Sequence, residues 1–315
     1  MIERGFKTVN QWVSNGLASL LSLLKVAVRL QHRTRLPAPR RPICSVLGNG
    51  PSLNQSLALH TDFLRQTELV CVNNFAHSPV FAQLQPQNYV LFDPAYFTYQ
   101  GGPDERADIR QTVTAFIEQV DWQMTLYVPQ FAKGSYLLRL IAEKNPRIEV
   151  AHFNYTVVDG FQWLTFWLCA NGFGMMQSQN VIIATLALMI NRRFETIYLF
   201  GADTSWHEQI RVSDQNQLLM QQTHFYEDAS KVAHVPVYSD ASQQQTWSMA
   251  SQFLSLHKVF RGYERLQAYA RYRGVQVLNA SVKSYIDAFT RVVISQPPTP
   301  VTTTATGPES QNQPV

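Results

Sequence analysis

An apolar run that stops at a glycine-rich turn organises this sequence: Ile43-Cys44-Ser45-Val46-Leu47-Gly48-Asn49-Gly50-Pro51-Ser52-Leu53. The run predicts a buried strand, and the Gly-Asn-Gly-Pro-Ser turn after it predicts a tight connection into a helix. Such a turn places backbone amides and the positive end of a helix dipole at one spot, which favours nucleotide phosphates and sugars. The loop matches neither G-x-G-x-x-G nor G-x-x-x-x-G-K-[ST], so an ordinary Gly-Pro turn is the alternative.

Later strands also end in small polar residues. The predicted strands at 69–72, 89–92 and 196–200 are followed by Asn73, by Asp93 and by Gly201-Ala202-Asp203. Each residue alone is more often a turn former or a cap. The ligand crevice of an open parallel sheet lies beyond the carboxyl ends of its strands. The repetition therefore favours one shared site for Asn49, Asn73 and Asp93, with Asp203 at an equivalent position.

The whole pattern predicts an α/β fold with a Rossmann-like, mostly parallel sheet flanked by helices. Further strands are predicted at 124–128, 148–153 and 275–278, and helices at 54–66, 108–119, 135–144, 181–189, 243–274 and 284–293. The helix at 181–189 is apolar throughout, which predicts burial on all sides. Residues 161–168 are strongly aromatic, which favours core packing over a lid, an interface or a membrane contact.

Residues 6–30 show the apolar periodicity of an amphipathic helix. The segment lacks the roughly 20 uninterrupted apolar residues of a membrane span, and it shows no signal-peptide cleavage site. No Asp or Glu occurs between Arg4 and Thr61, whereas basic residues recur up to Arg41. Two interpretations stay open: a helix lying on an anionic membrane surface, or a helix packed on its own domain or on a second copy.

Composition narrows the class of protein. The formal net charge of +4 over 315 residues gives no indication of nucleic-acid binding. Cys44, Cys71 and Cys169 share no metal-ligand or C-x-x-C spacing, so we expect reduced core residues in a cytoplasmic protein. We expect three segments: a helix and a semi-rigid Pro-rich linker at 1–42, a nucleotide-binding domain at 43–294, and a disordered tail at 295–315.

Two histidines lie near polar clusters in predicted loops. His207 follows Asp203 closely, and His224 begins the cluster His-Phe-Tyr-Glu-Asp. These side chains can ligate a metal, but no H-E-x-x-H or comparable spacing is present. The sequence also contains no Asp-x-Asp, so it predicts no metal site. A loop histidine is more often a hydrogen-bonding residue than a catalyst.

Taken together, these blocks resemble the bacterial sialyltransferases of glycosyltransferase family 42. They are also similar to the domain known as MptE-like 6-hydroxymethylpterin diphosphokinase. The resemblance covers roughly residues 43–290, and its most specific parts are the Gly-Asn-Gly-Pro-Ser-Leu loop and the strand that ends in Gly-Ala-Asp. The sialyltransferase resemblance implies a Rossmann-like sheet and a CMP-activated sugar donor as substrate, with no cofactor and no metal in the transfer.

The same resemblance implies roles for individual residues. It assigns nucleotide contacts to Asn49, Asn73, Ser178 and the position of Asp93, and catalytic roles to Asp203 and a histidine. The glycine-rich turn itself adds Gly48, Gly50 and Ser52 to the nucleotide-binding set, and the polar cluster after Asp203 adds His207 to the catalytic set with His224. Asp93 departs from the asparagine of the family, and Ser178 is matched as the serine that opens the buried helix. The histidine base matches His224 or His234, and the His-Phe-Tyr context favours His224.

The expected reaction is inverting sugar transfer to a glycan or lipid-linked acceptor, with histidine as the base. The N-terminal helix would suit an enzyme at the cytoplasmic face of a membrane, and a homo-oligomer is compatible with the sequence. The pterin resemblance implies a different reaction, pyrophosphoryl transfer from Mg-ATP with Asp93 and Asp203 as magnesium ligands. A third interpretation is a membrane-peripheral scaffold without catalysis, which predicts no nucleotide binding.

Overall fold

The computed structural model describes residues 2–29, 32–228, 230–239 and 245–294, with side chains from residue 8 onward. The predicted disordered tail at 295–315 lies outside the described residues. In chain order, the strands are β1 Ile43–Leu47, β2 Glu68–Val72, β3 Asn88–Val90, β4 Met124–Pro129, β5 Ile148–Phe153, β6 Thr196–Phe200, β7 Ile210–Val212, β8 Leu218–Met220, β9 Val235–Pro236, β10 Gln276–Asn279 and β11 Thr290–Arg291.

Eight of these strands form one parallel sheet, which confirms the predicted α/β fold. Its spatial order is β11-β10-β6-β1-β2-β3-β4-β5. The chain moves outward from β1 to β5 and then returns to pair β6 with the opposite side of β1, where Ile43 meets Thr196. In open α/β sheets, such a reversal of direction opens a crevice at the carboxyl ends of the strands. The remaining strands, β7 to β9, form a small antiparallel sheet.

Helices cover both faces of the large sheet. They are α1 Ile2–Val28, α2 Leu53–Arg65, α3 Val80–Leu84, α4 Ala95–Thr98, α5 Ala107–Glu118, α6 Tyr136–Lys144, α7 Gln162–Ala170, α8 Val181–Arg192 and α9 Met249–Arg273. Successive residues of a strand point to opposite faces, so Val46 packs with α7, α8 and α9, whereas Leu47 packs with α2, α5 and α6. The predicted all-round burial of α8 is confirmed, because every residue from 182 to 190 is buried.

The predicted helix at 284–293 is wrong. The segment is irregular and ends in β11, which pairs in parallel with β10. A helix over 284–293 would need the carbonyls of Ser284 and Ile286 for its own hydrogen bonds, but side chains occupy both. Arg291 donates to the carbonyls of Ser281 (2.7 Å), Val282 (3.1 Å) and Ser284 (3.2 Å), and Asn279 Nδ2 donates to Ile286 O (3.3 Å).

The Pro-rich linker before β1 is fixed to the sheet by a buried ion pair. Arg192 Nη2 lies 2.6 Å from Glu68 Oε1, and both side chains are almost fully buried. Arg192 also donates to the carbonyls of Pro37 (2.9 Å) and Ala38 (3.1 Å), and Glu68 Oε2 accepts from the Arg40 amide (2.7 Å). Burial raises the pKa of Glu68, but Arg192 and hydrogen bonds to the carboxylate outweigh it and hold the pKa below its usual value.

The N-terminal helix is present as predicted, over Ile2–Val28. Across the described ranges, no helix combines the length and the apolar content that crossing a membrane requires. Cys44, Cys71 and Cys169 are all buried and free, in agreement with their predicted place in the core.

Candidate active site

A cleft of about 810 Å³ lies at the carboxyl ends of the central strands. The segments that follow β1, β2, β3 and β6 all contribute to its wall, through Asn49, Asn73, Asp93 and Asp203 respectively. The fold therefore brings together the four strand-end residues that the sequence pattern singles out. His224 lies on the same wall, although the large sheet does not carry it.

The glycine-rich loop uses its own amides inside the protein. Four of them donate hydrogen bonds: Gly48 N to Phe200 O (2.8 Å), Gly50 N to Gly201 O (2.8 Å), Ser52 N to Asp203 Oδ2 (3.1 Å) and Leu53 N to Gly50 O (3.0 Å). These amides are therefore not free to hold a phosphate, in contrast to the expectation from the sequence. The loop after β1 instead binds the loop after β6.

Close backbone approach explains why glycine occupies this loop. A Cβ on Gly48 would lie 2.5 Å from Gly201 O, and a Cβ on Gly50 would lie 2.6 Å from the same oxygen and 2.7 Å from Asp203 Cγ. Gly201 itself has φ of +60°, a conformation that favours glycine. The glycines therefore allow the two strand ends to meet, and the space they leave is filled by protein.

Asp203 is bound to Ser52 through both carboxylate oxygens. Ser52 Oγ donates to Oδ1 at 2.6 Å, and the Ser52 amide donates to Oδ2 at 3.1 Å. Burial raises the pKa of Asp203, and the hydrogen bonds from Ser52 only partly oppose this effect. With both oxygens engaged, Asp203 fixes the position of the glycine-rich loop. Ser52 is not among the residues that line the cleft.

Asn49 offers an unpaired acceptor to the cleft wall. Its Nδ2 donates to the Val72 carbonyl at 3.2 Å, which fixes the orientation of the amide. Its Oδ1 is buried and has no hydrogen-bond partner among the described residues, and the same holds for Thr223 Oγ1. A buried polar atom without a partner costs about 1–3 kcal/mol, so a ligand N–H or O–H group would stabilise this site.

Asn73 has a structural task in the same wall. Its Oδ1 accepts from the Phe92 amide at 3.2 Å, which joins the end of β2 to the segment after β3. Asn73 has φ of +43°, and Thr204, directly after Asp203, has φ of +51°. A β-branched residue in this left-handed region is an outlier, and such strain, on the order of 1–3 kcal/mol, concentrates at functional sites.

A charged cluster at the cleft is not predicted by the sequence. Arg106 lies between two aspartates, with Nη1 3.3 Å from Asp93 Oδ2 and Nη2 2.5 Å from Asp108 Oδ2. Asp108 also accepts from Asn74 Nδ2 at 3.1 Å. Burial raises the pKa of Asp108, but Arg106 and Asn74 outweigh it and lower the pKa overall. No local pattern around Arg106 or Asp108 signals a site, because only the tertiary fold brings them to β3.

His224 forms a hydrogen-bonded pair with Glu227, a residue that no sequence motif marks as functional. Its Nδ1 lies 2.9 Å from Glu227 Oε2, which also accepts from the His224 amide at 2.7 Å. The ring stacks on Tyr226 with a centroid distance of 5.2 Å. Because Nδ1–H donates to a carboxylate, the lone pair of the neutral ring is on Nε2. The arrangement suits a proton acceptor whose ring orientation is fixed.

The backbone of Phe225 holds this histidine opposite the glycine-rich loop. The Phe225 amide donates to the Asn49 carbonyl at 3.0 Å, and Asn54 Nδ2 donates to the Phe225 carbonyl. The Phe225 ring is buried against Phe75 at a centroid distance of 5.1 Å. The position of His224 is therefore set by contacts on both sides of its neighbour.

Five residues considered from the sequence do not line the cleft: Gly48, Ser52, Ser178, His207 and His234. His207 packs edge-on against Tyr285 at a centroid distance of 4.3 Å. Ser178 is buried and its hydroxyl donates to Met176 O (3.1 Å). The residue that opens α8 is Asn180, whose side chain accepts from the Ile183 amide (2.9 Å), so the match of Ser178 to a helix-opening serine is wrong. Asn180 itself lines the cleft.

In the described ranges, no group of three or more His, Cys, Asp or Glu side chains is arranged to hold a metal ion. The two carboxylates proposed as magnesium ligands already have protein partners. Asp93 accepts from the Ala95 amide (2.9 Å) and pairs with Arg106, and Asp203 is bound by Ser52. A magnesium ion at these carboxylates would have to displace those contacts.

No protein-family model and no curated protein matches this chain. Among solved structures, the chain is similar to the MAf glycosyltransferase from Magnetospirillum magneticum AMB-1, with 13% identity and a TM-score of 0.47. That similarity covers 83% of this chain and 35% of the MAf chain, so this chain spans about a third of its length. The chain is also similar to apo FabMG, an enoyl-acyl carrier protein reductase, with 11% identity, a TM-score of 0.21 and coverage of 79% and 63%.

Proposed function

We propose that this chain is a glycosyltransferase that moves a sugar from a nucleotide-activated donor to a hydroxyl group, with inversion and without a metal ion. The observation that carries the proposal is the His224–Glu227 pair at the wall of the strand-end cleft. A histidine with Nδ1 bound to a carboxylate and Nε2 open is the arrangement that general-base catalysis requires.

His224 would act as the base of the transfer. Its Nε2 takes the proton of the acceptor hydroxyl while the hydroxyl oxygen forms a bond to the anomeric carbon of the donor sugar. The bond from that carbon to the nucleotide phosphate breaks, and the phosphate leaves with the electron pair. Glu227 stabilises the imidazolium that results, because its carboxylate lies 2.9 Å from Nδ1.

The unpaired acceptors of the cleft support a nucleoside on its wall. Asn49 Oδ1 and Thr223 Oγ1 are buried without partners. An amino group of a base or a ribose hydroxyl could pair with either, whereas a phosphate oxygen could accept from the Thr223 hydroxyl but could not pair with Asn49 Oδ1, because both of those oxygens only accept hydrogen bonds. We therefore assign Asn49 to the nucleoside rather than to the phosphate.

The charges of the cleft favour a donor with one phosphate. Its charged lining residues are Asp93, Asp108, Asp203 and Arg106, so negative charge is in excess, and Arg106 is already paired with two of the aspartates. A nucleoside monophosphate leaving group has less charge to neutralise than a diphosphate or a triphosphate. This agrees with a CMP-linked donor, which the resemblance to the sialyltransferases implies.

Nucleotide binding to the full-length chain tests the proposal against its alternatives. We would measure thermal unfolding with CMP, CDP, UDP, GDP and ATP, each with and without Mg²⁺, because a ligand of the folded state raises Tm. Stabilisation by CMP without Mg²⁺ is the expected result. Stabilisation by ATP only with Mg²⁺ would support the pyrophosphokinase, and a flat panel would support the scaffold.

A histidine variant tests the base. His224→Ala should retain the Tm increase with CMP but lose donor turnover, measured as CMP release, by about 10²- to 10⁴-fold. His234→Ala is the matched control, because His234 lies outside the cleft wall, and it should turn over normally. Equal turnover in the His224 and His234 variants would remove His224 from the mechanism.

A further inference from the structure

The N-terminal helix α1 turns its polar side toward the protein. Ser22 is 1% exposed, and its hydroxyl donates to Asp159 O and accepts from the Asp159 amide, both at 2.8 Å. Ser19 is also buried and accepts from the Phe161 amide at 2.9 Å. These hydrogen bonds attach the helix to the segment that leads into α7.

The apolar side of α1 is left in solvent. Leu20 is 65% exposed, and its apolar neighbours on the helix are exposed as well: Val9, Trp12, Val13, Leu17, Leu21, Leu23, Leu24 and Val28. A helix that packs on its own domain buries its apolar side. Here the orientation is reversed, so the domain itself does not cover this surface.

Helix α7 extends the same apolar surface. Trp163 and Trp167, one helical turn apart, are 68% and 48% exposed. Trp12 of α1 contacts Phe161, directly before α7, at a ring-centroid distance of 5.1 Å. Tryptophan is enriched where protein meets the boundary between lipid and water. We call the exposed apolar surfaces of α1 and α7 the α1–α7 face.

A cationic cavity of about 370 Å³ lies beside this face. Its wall contains four arginines, Arg33, Arg35, Arg193 and Arg273, and no carboxylate. It begins just after α1 in the chain and includes Ala170 at the end of α7. Within the described ranges, neither Arg33, Arg35 nor Arg193 makes an ion pair or a side-chain hydrogen bond, so their positive charges are not neutralised by the protein.

We propose that the α1–α7 face binds the surface of an anionic lipid bilayer and that the arginine cavity receives the phosphate of a lipid headgroup. Charge complementarity selects the occupant, since no acidic residue occurs between Arg4 and Thr61. Guanidinium groups bind phosphate oxygens in bidentate geometry, and an exposed apolar helix face with tryptophans inserts at the headgroup boundary. The proposal does not depend on the reaction in the cleft.

Vesicle co-sedimentation of the full-length chain tests the apolar part. The protein should bind vesicles of phosphatidylcholine mixed with phosphatidylglycerol, and it should bind pure phosphatidylcholine much more weakly. Replacing both Leu20 and Leu24 by Glu should weaken binding about a hundredfold or more, because each buried leucine contributes about tenfold or more in affinity. Leu59→Glu is the control: Leu59, on α2, is 63% exposed, and its variant should bind normally.

A second pair of variants tests the cavity. The double variant Arg33→Gln and Arg193→Gln should bind the anionic vesicles more weakly, by about fivefold for each charge removed. Arg211 is exposed on β7, and its replacement Arg211→Gln should have no effect. Equal loss with Arg211→Gln would refute a specific headgroup site.

Two further outcomes would overturn the lipid assignment. Broadening of the ³¹P signal of inorganic phosphate by the protein, without vesicle binding, would identify a site for free phosphate. Alternatively, the protein could fail to bind vesicles and form a stable dimer in light scattering. If the Leu20 and Leu24 replacements dissociated that dimer, a second copy would cover the face.

Discussion

Gly50→Ala tests how closely the glycine-rich loop meets the end of β6. The new Cβ would lie 2.6 Å from Gly201 O and 2.7 Å from Asp203 Cγ, whereas ordinary contact begins near 3.4 Å. Gly50 has no positive φ, so alanine meets no backbone strain there. Steric overlap costs about 1–3 kcal/mol, and displacement of the hydrogen bonds between Ser52 and Asp203 adds about 1–3 kcal/mol. Alanine also lowers the conformational entropy of the unfolded chain, which offsets about 0.4–1 kcal/mol of this destabilisation.

The net expectation is a loss of about 2–4 kcal/mol in the free energy of unfolding, measured by urea denaturation. This corresponds to a decrease in Tm of roughly 5–15 °C. The Tm increase expected with CMP should disappear as well, since Asn49, the residue before Gly50, belongs to the displaced loop. Gly102→Ala is the matched control, because its Cβ would meet nothing closer than 3.7 Å, and its stability should stay within about 1 kcal/mol of the parent. Equal stability of the two variants, with nucleotide binding retained in both, would refute the close contact.

Arg192→Met leaves Glu68 buried without its ion partner and should cost about 3–5 kcal/mol in urea denaturation; a cost below 1 kcal/mol would contradict a buried pair. Because the folded pKa of Glu68 is lowered, its stabilisation is present above the ordinary carboxylate pKa and is lost as pH falls through the folded pKa. Glu68→Gln should remove that part of the acid sensitivity, and an unchanged pH profile of Tm would contradict it. Glu227→Gln should lower turnover at least about tenfold with CMP binding intact, because the carboxylate orients His224. Parental turnover would exclude that role for Glu227. Asn49→Ala should weaken CMP binding about tenfold without unfolding the protein, and parental affinity would exclude Asn49 from the site.

Local pattern is sufficient to predict most of the sheet. Strands such as Ile43–Leu47 are buried on both faces, so they appear in the sequence as continuous apolar runs bounded by turn residues. The helix predicted at 284–293 is an exception, because tertiary contacts override the local pattern there. Its residues are compatible with a helix, but Arg291 and Asn279 bind the carbonyls of Ser284 and Ile286 through contacts that sequence spacing does not reveal.

The candidate site can be predicted only where it lies on strand ends. Asn49, Asn73 and Asp93 follow from the rule that parallel strands end at one edge, and the structure places them around one cleft. Arg106 and Asp108 come from a loop and a helix that carry no distinctive motif. Their meeting depends on tertiary packing. The role of the glycines also depends on it, because a sequence does not distinguish a glycine that approaches a ligand from one that approaches another loop.

The pairing of β1 with β6 has a consequence for how the protein folds. Ser52 and Asp203 are 151 residues apart in the chain, yet their hydrogen bonds connect the two loops at the base of the cleft. Contacts over such separations form late, because loop-closure entropy must be overcome before they stabilise anything. A nascent chain that ends before β6 already contains the glycine-rich loop, but it lacks Gly201 and Asp203, which bind that loop in the folded protein. The proposed nucleotide site would therefore be completed in the last stage of folding, and recovery of CMP binding during refolding would measure completion of the whole sheet.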